Sequence, residues 1–148
     1  MERRWSVSVG LLVLMVIAGV GLAAGQNPPA QEPGPRAGGW TIPPEAKTET
    51  NPLPVDDKLI AAGRSTFKSK CSRCHGPAGK GDGPDGDPEH ADDMDLTNPD
   101  RAARNPDGVV FYKVWNGRQQ PKMPTFKSEM TREEVWAVVA YVQTLRRK

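Results

Sequence analysis

The chain has 148 residues, of which 36% are hydrophobic and 26% charged, with 15 glycines and 15 prolines. That length allows one domain of ordinary size plus extensions. The formal charge of +2 is close to balance and gives no basis for nucleic-acid binding, which calls for a strongly basic face.

The apolar residues are unevenly placed. Residues 1–25 read as an export segment. Arg3 and Arg4 form a positive start, Val7 to Ala24 is an uncharged apolar run, and Ala23-Ala24-Gly25 offers small residues for cleavage. The alternative is a retained N-terminal membrane anchor, since a run of about 18 residues sits at the lower margin for a span. Either way the positive-inside rule keeps Arg3 and Arg4 in the cytoplasm. The rest is expected on the periplasmic side of a bacterial membrane, soluble if cleaved after Gly25 and tethered if Val7–Ala24 stays. Residues 26–54 read as a Pro/Gly-rich disordered linker: Pro28, Pro29, Pro33, Pro35, Pro43, Pro44, Pro52 and Pro54 remove donors and block helix. Trp40-Thr41-Ile42 is its one apolar point, a candidate for docking on the domain or on a partner.

Residues 55–148 read as the globular domain, small for a hydrophobic core. Its first helix is expected over about 56–70, with Asp56 and Asp57 at the end the helix dipole favours for acids. Leu59, Gly63 and Phe67 share one face. Glycine inside a helix costs about 1 kcal/mol relative to alanine, so Gly63 predicts close approach of another backbone. Gly76 to Pro84 reads as loop. Seven acids then fall between Asp82 and Asp95, a solvated acidic loop with His90 as a surface histidine; the calcium-loop pattern is missing. Asn105-Pro106-Asp107 starts the next helix, with Asn105 as cap and Pro106 at the first position. It runs through Val109, Val110, Val114 and Trp115 to Gly117. An irregular loop from Arg118 to Phe126 carries Met123-Pro124. The last helix opens on a capping box, Thr131 to Glu134, with Met130 and Val135 as a hydrophobic staple. Val135, Val138, Val139, Val142 and Leu145 form its apolar face, with Tyr141 beside it.

Cys71-Ser72-Arg73-Cys74-His75 is the stretch with the most specific chemistry. C-x-x-C-H is the attachment pattern of a c-type haem. Two thiols add across the vinyl groups on one edge of the porphyrin, and two intervening residues make the tight turn that brings both sulfurs there. The following imidazole then falls beneath the ring and reaches the iron. A zinc site is one rival, but such sites normally take four protein ligands, and only Cys71, Cys74, His75 and His90 exist. A thioredoxin-like redox pair is another, but it belongs near a βαβ pattern, which is not visible. An ordinary helix with a chance motif is the third. A six-coordinate haem needs a ligand opposite His75, and a methionine thioether raises the potential. Met1 and Met15 belong to the export segment, Met130 to the staple, and Met94 lies among aspartates near the attachment site. Met123, on a loop stiffened by Pro124 and well downstream, is the expected distal ligand, with Met94 or an open iron as alternatives.

Residues 55–148 resemble a mono-haem class I c-type cytochrome. The matching residues are Gly63, Phe67, Cys71-Ser72-Arg73-Cys74-His75-Gly76, Trp115-Asn116-Gly117, Met123-Pro124 and Val138-Val139-Ala140-Tyr141. The resemblance implies a small all-α domain wrapped around one covalent haem c, with its first and last helices crossing at Gly63, Phe67 and Tyr141. It implies outer-sphere electron transfer with both axial ligands retained, between a redox protein donor and acceptor, by a carrier that is not itself an enzyme. Lys70, Arg73, Lys80, Arg118, Lys122 and Lys127 lie near the ligand loops in sequence; they either ring the exposed edge, where an acidic partner would dock, or are ordinary solvated surface charges. The alternatives are a cytochrome subunit of a membrane or periplasmic dehydrogenase or oxidase complex, and a haem-based gas sensor.

Overall fold

A computed structural model describes residues 39–119 and 122–146. The expected export segment and the first part of the expected linker lie outside the described residues. Among those described, the chain forms seven α-helices and one 3-10 turn with no strand, in agreement with the all-α expectation. No helix among them is long and apolar enough to cross a membrane.

Two helices from opposite ends of the domain make its frame. Helix α2 (Asp57–Lys70) starts where Asp56 accepts a hydrogen bond from the Leu59 N–H. Helix α7 (Arg132–Leu145) starts at the expected capping box, with Thr131 and Glu134 each bonding the other's backbone N–H. These two form the most extensive helix pair of the fold. Gly63 is the reason they approach so closely: a Cβ there would lie 1.9 Å from the Ala137 carbonyl oxygen. Phe67, one turn on, is 2% exposed and meets Tyr141 at 5.3 Å between ring centroids. All five residues of the expected α7 face are buried, and so are Trp136, Ala137, Ala140 and Tyr141. The helix is therefore enclosed on nearly all sides. Met130 and Val135, the expected staple, both lie in the core cluster.

Helix α6 (Asp107–Asn116) covers α7 and starts one residue later than expected. Pro106 occupies the cap position without a side-chain bond. Asn105, expected as the cap, is one position too far upstream; its amide instead reaches the Arg101 carbonyl and accepts from Lys113. Gly117 ends α6 with φ of 62°, a conformation that favours glycine.

The stretch expected as linker is not all extended. Helix α1 (Pro44–Thr48) forms within it, with a proline in its first turn where no donor is needed. Ala46 is 3% exposed, the Gly108 N–H donates to the Glu49 carbonyl at 3.0 Å, and the Asn51 amide donates to the Trp136 carbonyl at 3.0 Å. Residues 44–54 are thus a strap fastened across α6 and α7, and the folded domain begins before residue 55. The acidic segment also carries structure, with a 3-10 turn at Pro88–His90 followed by α4 (Ala91–Met94) and α5 (Pro99–Ala102). Asp87 and Asn98 cap two of these turns, and Arg73–Asp85 and Arg101–Asp93 ion pairs hold the segment to its neighbours.

Candidate cofactor site

The C-x-x-C-H string occupies the end of α2 and one further turn, α3 (Ser72–His75). The Cys71 N–H still bonds back to Phe67 at 2.9 Å, while the Cys74 and His75 N–H groups bond the Cys71 carbonyl at 3.2 and 2.9 Å. One turn therefore carries both thiols and the imidazole. His75 Nδ1 lies 2.8 Å from the Met94 carbonyl oxygen. A carbonyl only accepts, so Nδ1 carries the hydrogen and Nε2 keeps its lone pair for a metal. Burial lowers the His75 pKa, against the upward pull of that bond, so the ring is neutral at physiological pH. Its orientation is further limited by Phe67, whose ring centroid is 6.5 Å away.

The two cysteines are not joined to each other. Burial, and then the neighbouring Cys74, push the Cys71 thiol up to about 12, with Lys70 opposing. Nucleophilic C-x-x-C pairs show the opposite direction, a thiol pKa lowered towards neutrality. Among the described residues no three His, Cys, Asp or Glu side chains converge on a point that would hold a metal ion. The zinc and calcium readings thus find no ligand set there.

A cavity of about 500 Å³ opens beside this turn, within the range of cofactor sites. Cys71, Cys74, His75 and Met123 all border it. Phe67, Leu96, Val110, Val114, Val138 and Val142 supply apolar wall from α2, α6 and α7 and from the segment after α4. Met123 is presented by a loop tied to α6. Arg118 and Met123 exchange backbone hydrogen bonds at 2.9 Å in both directions, the Phe126 N–H reaches the Val114 carbonyl at 3.2 Å, and the Thr125 hydroxyl donates to the Trp115 carbonyl at 2.7 Å. Gly117 makes room for the loop, since a Cβ there would lie 2.6 Å from the Met123 carbonyl oxygen.

Met94, the alternative distal ligand, also borders the cavity, but its backbone carbonyl is already engaged in holding His75. His90, expected simply at the surface, is half-buried on the same border and hydrogen-bonded to Asp87 at 2.8 Å. The expected basic ring is broken up. Lys70 pairs with Glu129 at 2.9 Å, Arg73 with Asp85, and Arg118 with Asp93 at 3.6 Å. Lys70, Arg118 and Lys122 border the cavity, whereas Arg73, Lys80 and Lys127 do not. Sequence reasoning missed the Met94 carbonyl, because a backbone acceptor leaves no signal in residue type. It also missed Arg101, Asn105, Lys113 and Arg146 on the border, which are scattered along the chain, whereas Trp40, expected as a point of docking on the domain or on a partner, does reach that border.

These residues fit a covalently held macrocycle: both cysteines and a histidine with an available ring nitrogen border a cavity with largely apolar walls, and Met123 borders it from a second loop. The sequence pattern of the Cytochrome c family matches residues 60–146, more than half of the chain. The chain therefore belongs to the cytochrome c family, and its domain is of the class I c-type kind, which binds haem c covalently and serves electron transfer. No curated protein matches the chain.

Proposed function

We propose that the chain is a mono-haem electron carrier in which Cys71 and Cys74 form the two thioethers, His75 Nε2 is the proximal iron ligand and the Met123 sulfur the distal one. The observation that carries this reading is the single cavity bordered by all four residues. Haem supplies a one-electron Fe(III)/Fe(II) couple. The protein's part is to keep that couple in place with little rearrangement. His75 is held by the Met94 carbonyl, which fixes its tautomer and makes the imidazole a better donor. Met123 is held by the paired backbone bonds to Arg118, and its soft sulfur favours the reduced state. Valines of α6 and α7 exclude water, which lowers the reorganisation that accompanies each transfer. Donor and acceptor are redox proteins that dock near the thioether turn. Residues 1–25 carry the domain across the membrane, and the segment up to about residue 38 joins it to whatever part of the export segment remains.

Production in a host with c-haem maturation tests the proposal. The expected result is an intact mass raised by one haem and a low-spin c-type spectrum on reduction. A bare polypeptide mass, with a control cytochrome maturing normally, would overturn it.

A further inference from the structure

One part of the cavity border differs in charge from the rest. Near the thioether turn the border carries Asp85 and Asp87. Elsewhere it carries cations from separate segments, among them Arg101 of α5, Lys113 of α6, Arg118 just beyond α6, Lys122 of the Met123 loop and Arg146 at the end of α7. The border's other carboxylates are Asp93 and Asp95. Asp93 is shared, at 2.8 Å from Arg101 and 3.6 Å from Arg118. Asp107 attracts Arg146 but spends its hydrogen bond on Gln143. Arg146 itself is held by neutral oxygens, the Asn105 carbonyl at 2.8 Å and the Gln143 amide at 3.2 Å. Lys113 donates to the Asn105 amide oxygen. Burial, and then Arg118, Arg101 and Arg146, push its ammonium down to about 8, with Asp93 opposing. Partly buried cations gathered in this way favour an anionic counter-ion.

Trp40 lies over this group. Its ring centroid is 4.9 Å from the Arg118 guanidinium and 5.4 Å from Lys113 Nζ, close enough for cation–π attraction. It also borders the cavity. Yet it lies outside the residues that the family pattern matches, four residues ahead of the strap's first helix. That strap is fastened through Ala46, the Glu49 carbonyl, the Asn51 amide and a 3.2 Å Arg132–Glu49 pair.

Haem carries two carboxylates on the edge away from its vinyl groups. A cavity that holds haem by two cysteines must place both negative charges at another part of its border. We propose that Lys113 and Arg146, with Arg101 and Arg118 beside them, receive those carboxylates, and that Trp40 is a positioning residue that seals the group from water. The inference rests on the proposed function. Its consequence is electrical: positive charge kept in a dry site stabilises the reduced couple, and water admitted there screens it.

The experiment is a spectroscopic redox titration of the haem-loaded full chain and its variants. Lys113→Met is expected to lower the reduced-to-oxidised ratio at fixed ambient potential about tenfold, or about 59 mV for one electron. Lys113→Arg keeps the charge and holds the wild-type value. Trp40→Ala lowers the ratio as well, and Lys113→Met then shifts it less in the Trp40→Ala background than in the wild type, because water already screens the lost charge. Trp40→Leu runs the same cycle if Trp40→Ala does not fold. An unchanged potential in Lys113→Met, or shifts that simply add, would overturn this proposal while leaving the haem carrier intact. A chain that emerges from maturation without haem would overturn both.

Discussion

Replacing Gly63 by alanine inserts one methyl group between α2 and α7, and the structure sets the size of the effect. The new Cβ would lie 1.9 Å from the Ala137 carbonyl oxygen and 2.5 Å from its carbon, where ordinary contact begins at 3.4 Å. Both obstructing atoms are backbone, so no rotamer change relieves the clash. The helices have to move apart by a large part of the missing 1.5 Å, the difference between those contact distances. A gap of 0.5–1 Å already forfeits roughly a quarter to a half of the dispersion energy across a packed surface. Phe67, Val138 and Tyr141, all buried at this crossing, lose that contact. Overpacking of this kind costs about 1–3 kcal/mol, and a rigid backbone obstruction belongs at the upper end. Alanine returns about 1 kcal/mol through its better helix propensity. The net expectation is a loss of about 2 kcal/mol, or roughly 10 °C in Tm for a domain of this size. Urea unfolding of the haem-loaded protein, followed by far-ultraviolet circular dichroism, measures it. Ala62→Gly at the exposed neighbouring position calibrates propensity alone at about 1 kcal/mol of loss. A Gly63→Ala variant as stable as the wild type, or more so, would refute the close crossing.

Met123→Ala is expected to open the distal side, so that the reduced haem protein binds carbon monoxide readily and its potential falls. Met94→Ala leaves the distal side closed, because the carbonyl that holds His75 belongs to the backbone and survives the change; carbon monoxide titration of both variants separates them. Thr131→Ala removes one half of the capping box and should lower stability by about 1 kcal/mol, read by urea unfolding. Asn51→Ala unfastens the strap from the Trp136 carbonyl and should cost about 1 kcal/mol; faster proteolytic cleavage within residues 39–54 gives a second readout. The Arg101 guanidinium holds the Asp93 carboxyl below its ordinary value, with Arg118 adding to the effect. A folded-state pKa below the unfolded one means that this stabilisation is present above pH 3.8 and is lost as pH falls through the folded value. Asp93→Asn should therefore weaken the domain at neutral pH, by under about 1 kcal/mol for so exposed a pair. The gap between variant and wild type should close in strong acid.

The frame of the fold was legible because its signals are local. The Thr131–Glu134 box, the 3.6-residue spacing of Val135 to Leu145, and Gly117 after α6 each act within one or two turns. Gly63 was legible as an anomaly, a poor helix former whose presence demands a compensating contact. The strap was not legible. Its prolines suggest coil, and nothing in the residue type of Ala46 shows that it docks under α6, since alanine serves equally on a surface. The cap of α6 slipped by one position because Asn105 had a competing use in Arg101 and Lys113. At the candidate cofactor site, Cys71, Cys74 and His75 form a contiguous string, so their presence on one turn beside one cavity was legible from spacing alone. Arg101, Lys113, Arg118 and Arg146 are brought together by four separate segments. No one-dimensional pattern records such a convergence.

The crossing of α2 and α7 also sets an order of events. Its two halves stand at opposite ends of the domain's chain, so the contact has a high sequence separation and a slow, late closure. A chain synthesised N-terminus first presents Cys71 and Cys74 well before Arg132–Leu145 is made. Until then the wall contributed by Val138 and Val142 is missing, and the thiols stand at an open edge rather than inside a cavity. The last helix thus acts as the closing seam of the domain: the wall of the cavity is complete only once α7 is in place.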